Sequence, residues 1–271
     1  MKRIKKRIWI PLVVVLILCI WYISIQPSHD RIWSADQQVL PYAVLHDTHV
    51  DLFYIRNISY YNTTTYNVSH YNATFAFDEL VGLWYMVEYF HDWKGMAHTL
   101  LSFEFSDGTF VSASVEIRKE QGETYSPLKG VLKQFELMYV WADEQDVIQL
   151  RTNHRNNDVY LYPVNISPQG LQFLFVDMLT RTNALYAQPE FYNTLTSTCT
   201  SNLVRHINKI APQRVSPFDI RVLFPGYSDT LAYNLGFFGT EYTLDDLRQH
   251  YYITDKAQEE SSVPFSKRIR Q

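Results

Sequence analysis

The chain has 271 residues, of which 46% are hydrophobic and 15% aromatic, so it is not an intrinsically disordered protein and can support one substantial globular domain. Lysine and arginine total 24 against 28 aspartate and glutamate residues, giving a formal net charge of -4. The basic residues concentrate at the two ends of the chain instead of forming a central stripe, which argues against nucleic acid as a partner.

The N-terminus has the pattern of a membrane anchor. Basic residues crowd into residues 1–7, and residues 8–25 form an uncharged apolar run about long enough to cross a bilayer. A cleaved signal peptide is the alternative, but the run is longer than a usual signal sequence and Ser24-Ile25-Gln26 is a poor cleavage site. By the positive-inside rule, we predict a single-pass helix in the inner (cytoplasmic) membrane, with the bulk of the chain periplasmic or extracytoplasmic.

The remaining sequence predicts an α+β protein with a frayed C-terminus. We expect the tail from Gln258 to Gln271 to fray, because it is polar. The predicted division of the chain is a cytoplasmic basic segment at 1–7, a transmembrane anchor at 8–25, a strand and loop region at 26–75, a thiol domain at 76–240, and a C-terminal helix with a polar tail at 241–271.

Turn and capping residues locate the main predicted elements. Ser126-Pro127 and Ser167-Pro168 each place an N-cap residue before a proline at the first helical position, which predicts helices over LKGVLKQFEL and QGLQFLFVDMLTRTNALYAQ. Strands are predicted for MYVWAD and DVYLYPVNI. A helical apolar stripe after Cys199 predicts another helix that begins near this cysteine.

The segment AHTLLSFEFSDGTFVSASVEIRKE predicts a β-hairpin, because two runs of alternating side chains flank Asp107-Gly108. Their apolar faces coincide only with a three-residue loop, Ser106-Asp107-Gly108, in which Gly108 takes the left-handed conformation. That register places His98 opposite Glu116, with Cβ atoms about 4.5 to 5.5 Å apart. Glu116 could then bind one imidazole nitrogen and leave the other free, although an ordinary exposed His/Glu pair is the alternative.

Cys199 has three readings: an intermolecular disulfide, a buried inert thiol or a nucleophile. Its only possible partner in the chain is Cys19, which we expect to lie inside the membrane. A cysteine at a helix start feels backbone N–H groups and the helix dipole, which lower its pKa, and a nearby imidazolium lowers it further. Together with His98 and Glu116, this position favours the nucleophile.

Two further groups of residues invite functional readings. Asn193 lies six residues before Cys199, the offset at which papain-like enzymes place an oxyanion-hole amide, and ordinary loop structure is its alternative. His46, His49 and Asp51 could bind a metal, but nothing else in the sequence completes a site and a strand edge is the simpler reading. We therefore predict no metal site and no cofactor.

Several blocks together resemble the Lnb N-terminal periplasmic domain family over about residues 60–238: AHTLLSFEF, SVEIRKEQGETYSPLKG, ELMYVWADEQDVIQLRTNHR, EFYNTLTSTCTSNLV and LFPGYSDTLAYNLG. The resemblance implies a permuted papain-like (NlpC-like) thiol fold with an antiparallel sheet, in which the histidine strand and its polar partner precede the cysteine helix. It implies catalytic roles for Cys199, His98 and Glu116. Further positions that resemble the family, and that we expect to line a pocket or support the hairpin, are Arg118, Tyr125, Arg151, Asn153 and His154.

The resemblance implies thiol-dependent acyl transfer outside the cytoplasm, since Lnb proteins act as lipoprotein N-acyltransferases. We therefore predict a membrane-anchored acyltransferase that forms a thioester on Cys199. A cell-wall peptide amidohydrolase or cysteine peptidase is the first alternative, and a non-catalytic lipid- or glycan-binding module is the second. The expected partners are the membrane and a lipoprotein, phospholipid or peptidoglycan substrate.

Overall fold

The computed structural model describes residues 2–239 and 241–271, with the backbone alone described for residues 2–8. The basic side chains of the predicted cytoplasmic segment, residues 1–7, lie outside the described residues. The helices are α1 (Lys2–Ser24), α2 (Pro127–Val131), α3 (Glu144–Gln149), α4 (Pro168–Ala187), α5 (Cys199–Ile207), α6 (Ile220–Leu223), α7 (Ser228–Asn234), α8 (Leu244–His250), α9 (Thr254–Gln258) and α10 (Phe265–Arg268). The strands are β1 (Tyr42–Leu45), β2 (His49–Arg56), β3 (Ser59–Tyr60), β4 (Tyr66–Asn67), β5 (His70–Ala76), β6 (Leu80–Tyr89), β7 (Ala97–Phe105), β8 (Phe110–Arg118), β9 (Glu136–Ala142) and β10 (Asp158–Pro163).

One large, mainly antiparallel sheet organises the molecule. Its strand order is β1-β2-β9-β8-β7-β6-β10, and β5 also pairs with β2. In the described part of the chain, neighbouring strands of this sheet are antiparallel except β2 and β9, which meet in parallel at Arg56 and Ala142. The predicted α+β class with an antiparallel sheet is confirmed, and the predicted division into segments stays a prediction.

The central strands are covered on both faces. On one face, Phe103 and Trp141 pack against Phe175 of α4, with ring centroids 4.9 and 5.5 Å from the Phe175 ring. On the other face, Leu100 and Met138 belong to a separate buried cluster that also contains residues of α3 and of the C-terminal helices. Because side chains alternate along a strand, β7 and β9 contribute to both clusters. The middle of the sheet is therefore buried between two packed layers.

Capping residues explain where two helices begin. The Ser167 hydroxyl accepts from the Gly170 N–H at the start of α4, and Thr198 forms a reciprocal capping box with Ser201 at the start of α5. The prediction of a helix over LKGVLKQFEL is wrong in its extent, because α2 ends at Val131. Lys133 has a φ of 59°, which interrupts the helix, and β9 begins soon after it.

The N-terminal apolar run forms α1, whose end is joined to α2. The Tyr22 hydroxyl donates to the Val131 carbonyl at 3.0 Å. Across the part of the chain that the structure describes, no helix combines the length and the apolar character that a membrane crossing requires. The predicted transmembrane anchor at 8–25 is therefore not confirmed.

The C-terminal tail is docked, and the expectation that it frays is wrong. Phe265 is 9% exposed and Ile269 is 1% exposed. Arg270 donates to both carboxylate oxygens of the buried Glu144, at 2.5 and 2.7 Å, and its guanidinium lies 3.8 Å from the centroid of the Phe110 ring. These contacts bury a segment whose composition alone is polar.

Candidate active site

The β7–β8 hairpin has the predicted register. Leu101 pairs with Ala113 across the two strands. The Phe105 N–H donates to the Thr109 carbonyl at 2.9 Å, and Gly108 has a φ of 86°. This pairing and this φ confirm the three-residue loop with a left-handed glycine. A residue other than glycine would be strained at this φ.

His98 and Glu116 meet as this register requires. His98 Nε2 lies 3.2 Å from Glu116 Oε1 and 2.8 Å from Ser114 Oγ, and the Ser114 hydroxyl donates to Glu116 at 2.7 Å. Ser114 therefore accepts from the Nε2–H of His98, which leaves Nδ1 as the imidazole nitrogen available to the thiol. The sequence reasoning missed Ser114, although strand alternation places it two residues before Glu116 on the same face.

A buried arginine holds the carboxylate that orients His98. Arg151 donates to Glu116 at 2.9 Å through Nη2 and to Glu88 at 2.6 Å through Nε. Burial raises the pKa of Glu116, but the positive charges of His98 and Arg151 outweigh burial and hold that pKa well below its usual value. Glu88 lies opposite His98 on β6 and is fully buried. Glu88 could not be predicted from the sequence, because no local motif marks it.

Cys199 is the first residue of α5 and is 6% exposed. Burial raises the pKa of its thiol, but the hydrogen bond and the positive charge of His98, helped by the Thr99 backbone N–H, lower it to about 7. Burial lowers the pKa of His98, whereas the Glu116 carboxylate raises it to about 10. Between these two values the pair exists as a thiolate and an imidazolium.

All three predicted catalytic side chains line one open cleft of about 780 Å³. Pro127, which begins α2, lies on its wall, as does Phe224 before α7. An apolar cavity of about 70 Å³ is lined by residues of α5 and α7, among them Thr200, the residue after Cys199. The site can therefore admit a substrate much larger than a single amino acid, and an apolar cavity lies next to the cysteine helix.

The remaining predicted site residues divide between this cleft and other parts of the molecule. Tyr125, Arg151 and His154 line the cleft. Arg118 instead donates to two backbone carbonyls before β1, at 3.0 and 2.7 Å, and its guanidinium lies 4.1 Å from the centroid of the Trp33 ring. These contacts join the N-terminal segment to the sheet.

The two asparagines among the predicted site residues, Asn153 and Asn193, form hydrogen bonds with backbone groups. Asn153 donates to the Ala257 carbonyl at 3.1 Å. Asn193 Oδ1 accepts from the backbone N–H groups of Leu195 and Thr196, at 2.9 and 3.1 Å, and orders the turn before α5. Neither asparagine is among the described residues that line the cleft. The turn stabilised by Asn193 positions the first residue of α5.

Comparison with known families identifies the segment that carries this site. The family described as the Lnb N-terminal periplasmic domain matches residues 67–226, more than half of the chain. The matched segment includes β7, β8 and α5, and therefore His98, Glu116 and Cys199. No curated protein and no solved structure matches the chain.

Proposed function

Since the chain belongs to the Lnb N-terminal periplasmic domain family, we propose that it is an extracytoplasmic, membrane-associated thiol enzyme that transfers acyl groups. The observation that carries the proposal is the convergence of Cys199, His98 and Glu116 in one open cleft, with the pKa of the thiol lowered to about 7. An inert thiol needs no charged imidazole beside it. In this proposal the domain is a permuted papain-like one, because the histidine strand precedes the cysteine helix.

The first half of the proposed reaction forms a thioester. The Cys199 thiolate attacks the carbonyl carbon of an acyl ester, and the carbonyl π electrons move to oxygen. When this intermediate collapses, the ester C–O bond breaks and the departing oxygen takes a proton from the His98 imidazolium. Glu116 and Ser114 keep the imidazole oriented, so that the proton stays within reach of the leaving group.

The second half passes the acyl group to an acceptor. An amine attacks the thioester carbonyl, His98 accepts the amine proton, and the Cys199 thiolate leaves. The product is an amide, and a lipoprotein N-terminus is the acceptor that we rank first. If water is the acceptor and a peptide amide the substrate, the same residues perform the cell-wall peptide hydrolysis that we rank second.

Two features favour a lipid-derived acyl donor over a peptide. The apolar cavity beside α5 suits the end of a hydrocarbon chain, because its lining is almost free of polar groups. The helix α1 exposes large apolar side chains from Trp9 to Ile23, and its end is joined to α2, whose first residue lines the cleft. We propose that α1 holds the domain at the inner membrane with the cleft in the periplasm.

The substrate is tested by mass spectrometry of lipoprotein N-termini from a deletion strain complemented with variants of the chain. The wild-type chain and Cys19→Ala should restore N-acylation, whereas Cys199→Ala should not. Cys19→Ala is the matched control because it removes the other cysteine. Unchanged acylation in the deletion strain would exclude lipoprotein N-acylation and direct attention to peptidoglycan.

Enzyme activity itself is tested separately from the substrate. If Cys199→Ala complements every phenotype of the deletion, and Cys199 reacts with iodoacetamide no faster than a free thiol near neutral pH, the chain is a non-catalytic binding module. Faster alkylation with loss of complementation supports the enzyme, whichever acceptor it uses.

A further inference from the structure

A second cluster of chemically active side chains lies at the β1–β2 hairpin, outside the thiol cleft. His46 follows β1, and His49 and Asp51 belong to β2. One ring nitrogen from each histidine and one carboxylate oxygen all lie within 4.8 Å of one another. The proposed acyl transfer uses none of these three side chains.

The strand backbone brings these groups together. Strand alternation places His49 and Asp51 on one face, whereas Val50 and Leu52 are fully buried on the other. His46 Nε2 lies 3.0 Å from Asp51 Oδ2, and the two imidazole rings stack with centroids 4.3 Å apart. The cluster is therefore anchored through buried neighbours although its own side chains reach solvent.

Neighbouring hydroxyl groups orient two of the three side chains. Asp51 Oδ1 accepts from Thr74 Oγ1 of β5 at 2.5 Å, and His49 Nδ1 lies 3.2 Å from Thr48 Oγ1. The other carboxylate oxygen and the other ring nitrogen are then directed away from these partners. Metal-binding residues in proteins are commonly held by outer hydrogen bonds of this kind.

We infer that His46, His49 and Asp51 form a binding site for a divalent transition-metal ion, with Zn²⁺ as the representative. Two imidazole nitrogens and one carboxylate oxygen suit Zn²⁺, Co²⁺ or Ni²⁺, whereas Ca²⁺ and Mg²⁺ prefer sites made wholly of oxygen. Tetrahedral Zn²⁺ ligands lie about 3.3 Å apart, a spacing that the His46–Asp51 pair already approaches. Rotation of the partly exposed side chains brings in the third ligand, and water takes the fourth position.

From its position, the bound ion should stabilise the fold. A bound ion joins the end of β1 to β2, while Thr74 links the same carboxylate to β5. An ion that binds this folded arrangement, and not the unfolded chain, shifts the folding equilibrium towards the native state. The ion thus secures the β1–β2 hairpin, where β1 is the edge strand of the large sheet.

Zn²⁺ titration of the full, untagged chain in detergent tests the site. The parent protein for this titration carries Cys19→Ala and Cys199→Ala, so that neither thiol can bind the ion. Isothermal titration should show one equivalent bound, with at least tenfold weaker binding after His49→Ala or Asp51→Asn. His91→Ala is the matched control because His91 is exposed and lies elsewhere, and it should leave binding unchanged.

Two further measurements guard against loss of the fold. Zn²⁺ should raise the Tm of the parent protein and of His91→Ala, but not that of Asp51→Asn, which preserves the side-chain volume. Co²⁺ should give the visible absorption of a tetrahedral site in the parent and lose it in His46→Ala. The site would be overturned if the parent showed no saturable Zn²⁺ binding, or if His49→Ala and Asp51→Asn bound Zn²⁺ as tightly as the parent. Either result would leave the proposed thiol chemistry untouched.

Discussion

At the residue scale, the acidity of Cys199 depends mainly on one neighbour. Its pKa is lowered to about 7 by His98 against the opposing effect of burial. The alkylation rate of Cys199 should therefore rise with pH and reach half its maximum near pH 7, as the thiol loses its proton. In His98→Ala, burial acts without the compensating charge, so the midpoint should move to higher pH and the rate at pH 7 should fall at least tenfold, because one pKa unit is a factor of ten in thiolate.

The measurement is a series of iodoacetamide reactions at fixed pH, followed by mass spectrometry of the peptide that contains Cys199. His154→Ala is the control, because His154 lines the same cleft but is not among the causes of the shifted thiol pKa. An unchanged midpoint in His98→Ala would show that the imidazole does not activate the thiol.

Glu116 sets the charge of His98 in turn. Its carboxylate raises the pKa of the buried imidazole to about 10, so the imidazolium forms as pH falls through that value. In Glu116→Gln, burial should lower the His98 pKa, and the imidazole should be neutral at pH 8. NMR titration of the His98 ring should report this shift, and alkylation of Cys199 at pH 7 should slow by roughly tenfold.

The control for this variant is Glu79→Gln, since Glu79 is an exposed carboxylate just before β6. An imidazole that titrates identically in Glu116→Gln and the wild type would contradict the assigned role. Ser114→Ala should have a smaller effect, because Glu116 also contacts His98 directly at 3.2 Å.

At the element scale, the β7–β8 hairpin depends on the conformation of its loop. Gly108 has a φ of 86°, which an alanine side chain disfavours by about 1 kcal/mol. Gly108→Ala should lower the free energy of unfolding by that amount in urea denaturation, with the denaturant slope unchanged. Gly239→Ala is the matched control, because a Cβ at Gly239 meets nothing within 4 Å and the residue does not have a positive φ. Equal losses in both variants would contradict the conformational explanation.

The hairpin was predictable because the residues that determine it lie close together in the sequence. Asp107-Gly108 marks the turn, and the alternation of the two strands then fixes the pairing of His98 with Glu116. The strand β6 was not predicted, because its run LVGLWYMVEY is covered on both faces for much of its length and lacks clear alternation. Glu88 was missed with it. The extent of α2 depended on the backbone of Lys133, which the capping pattern does not reveal.

At the scale of the whole molecule, the C-terminal tail closes over a buried carboxylate. Glu144 is 1% exposed and accepts from Ser102 at 2.5 Å as well as from Arg270. Arg270→Ala should destabilise the protein by about 3 kcal/mol, because removing one partner leaves a buried charge without compensation. Thermal and urea unfolding measure the loss. The control Lys267→Ala, at an exposed position of α10 three residues before Arg270, should change stability little.

A double-mutant cycle distinguishes the ion pair from general loss of packing. Arg270→Ala combined with Glu144→Gln should recover part of the lost stability, since the variant no longer buries a carboxylate. Additive losses in the double variant would show that the pair itself contributes nothing. The contact joins residues 126 apart in the chain, so neither composition nor periodicity could predict it. The same separation explains why the tail was expected to fray.

Cys199 and His98 are also far apart in sequence. Thr99 and Thr200, the residues that follow His98 and Cys199, are 101 positions apart and their hydroxyl groups meet at 3.0 Å. In an unfolded chain Cys199 has neither the imidazolium nor the ordered helix start, so its thiol is dormant. The lowered pKa of the thiol is thus acquired with the tertiary fold, and a newly made chain has no activated thiolate at Cys199 until α5 has docked against β7.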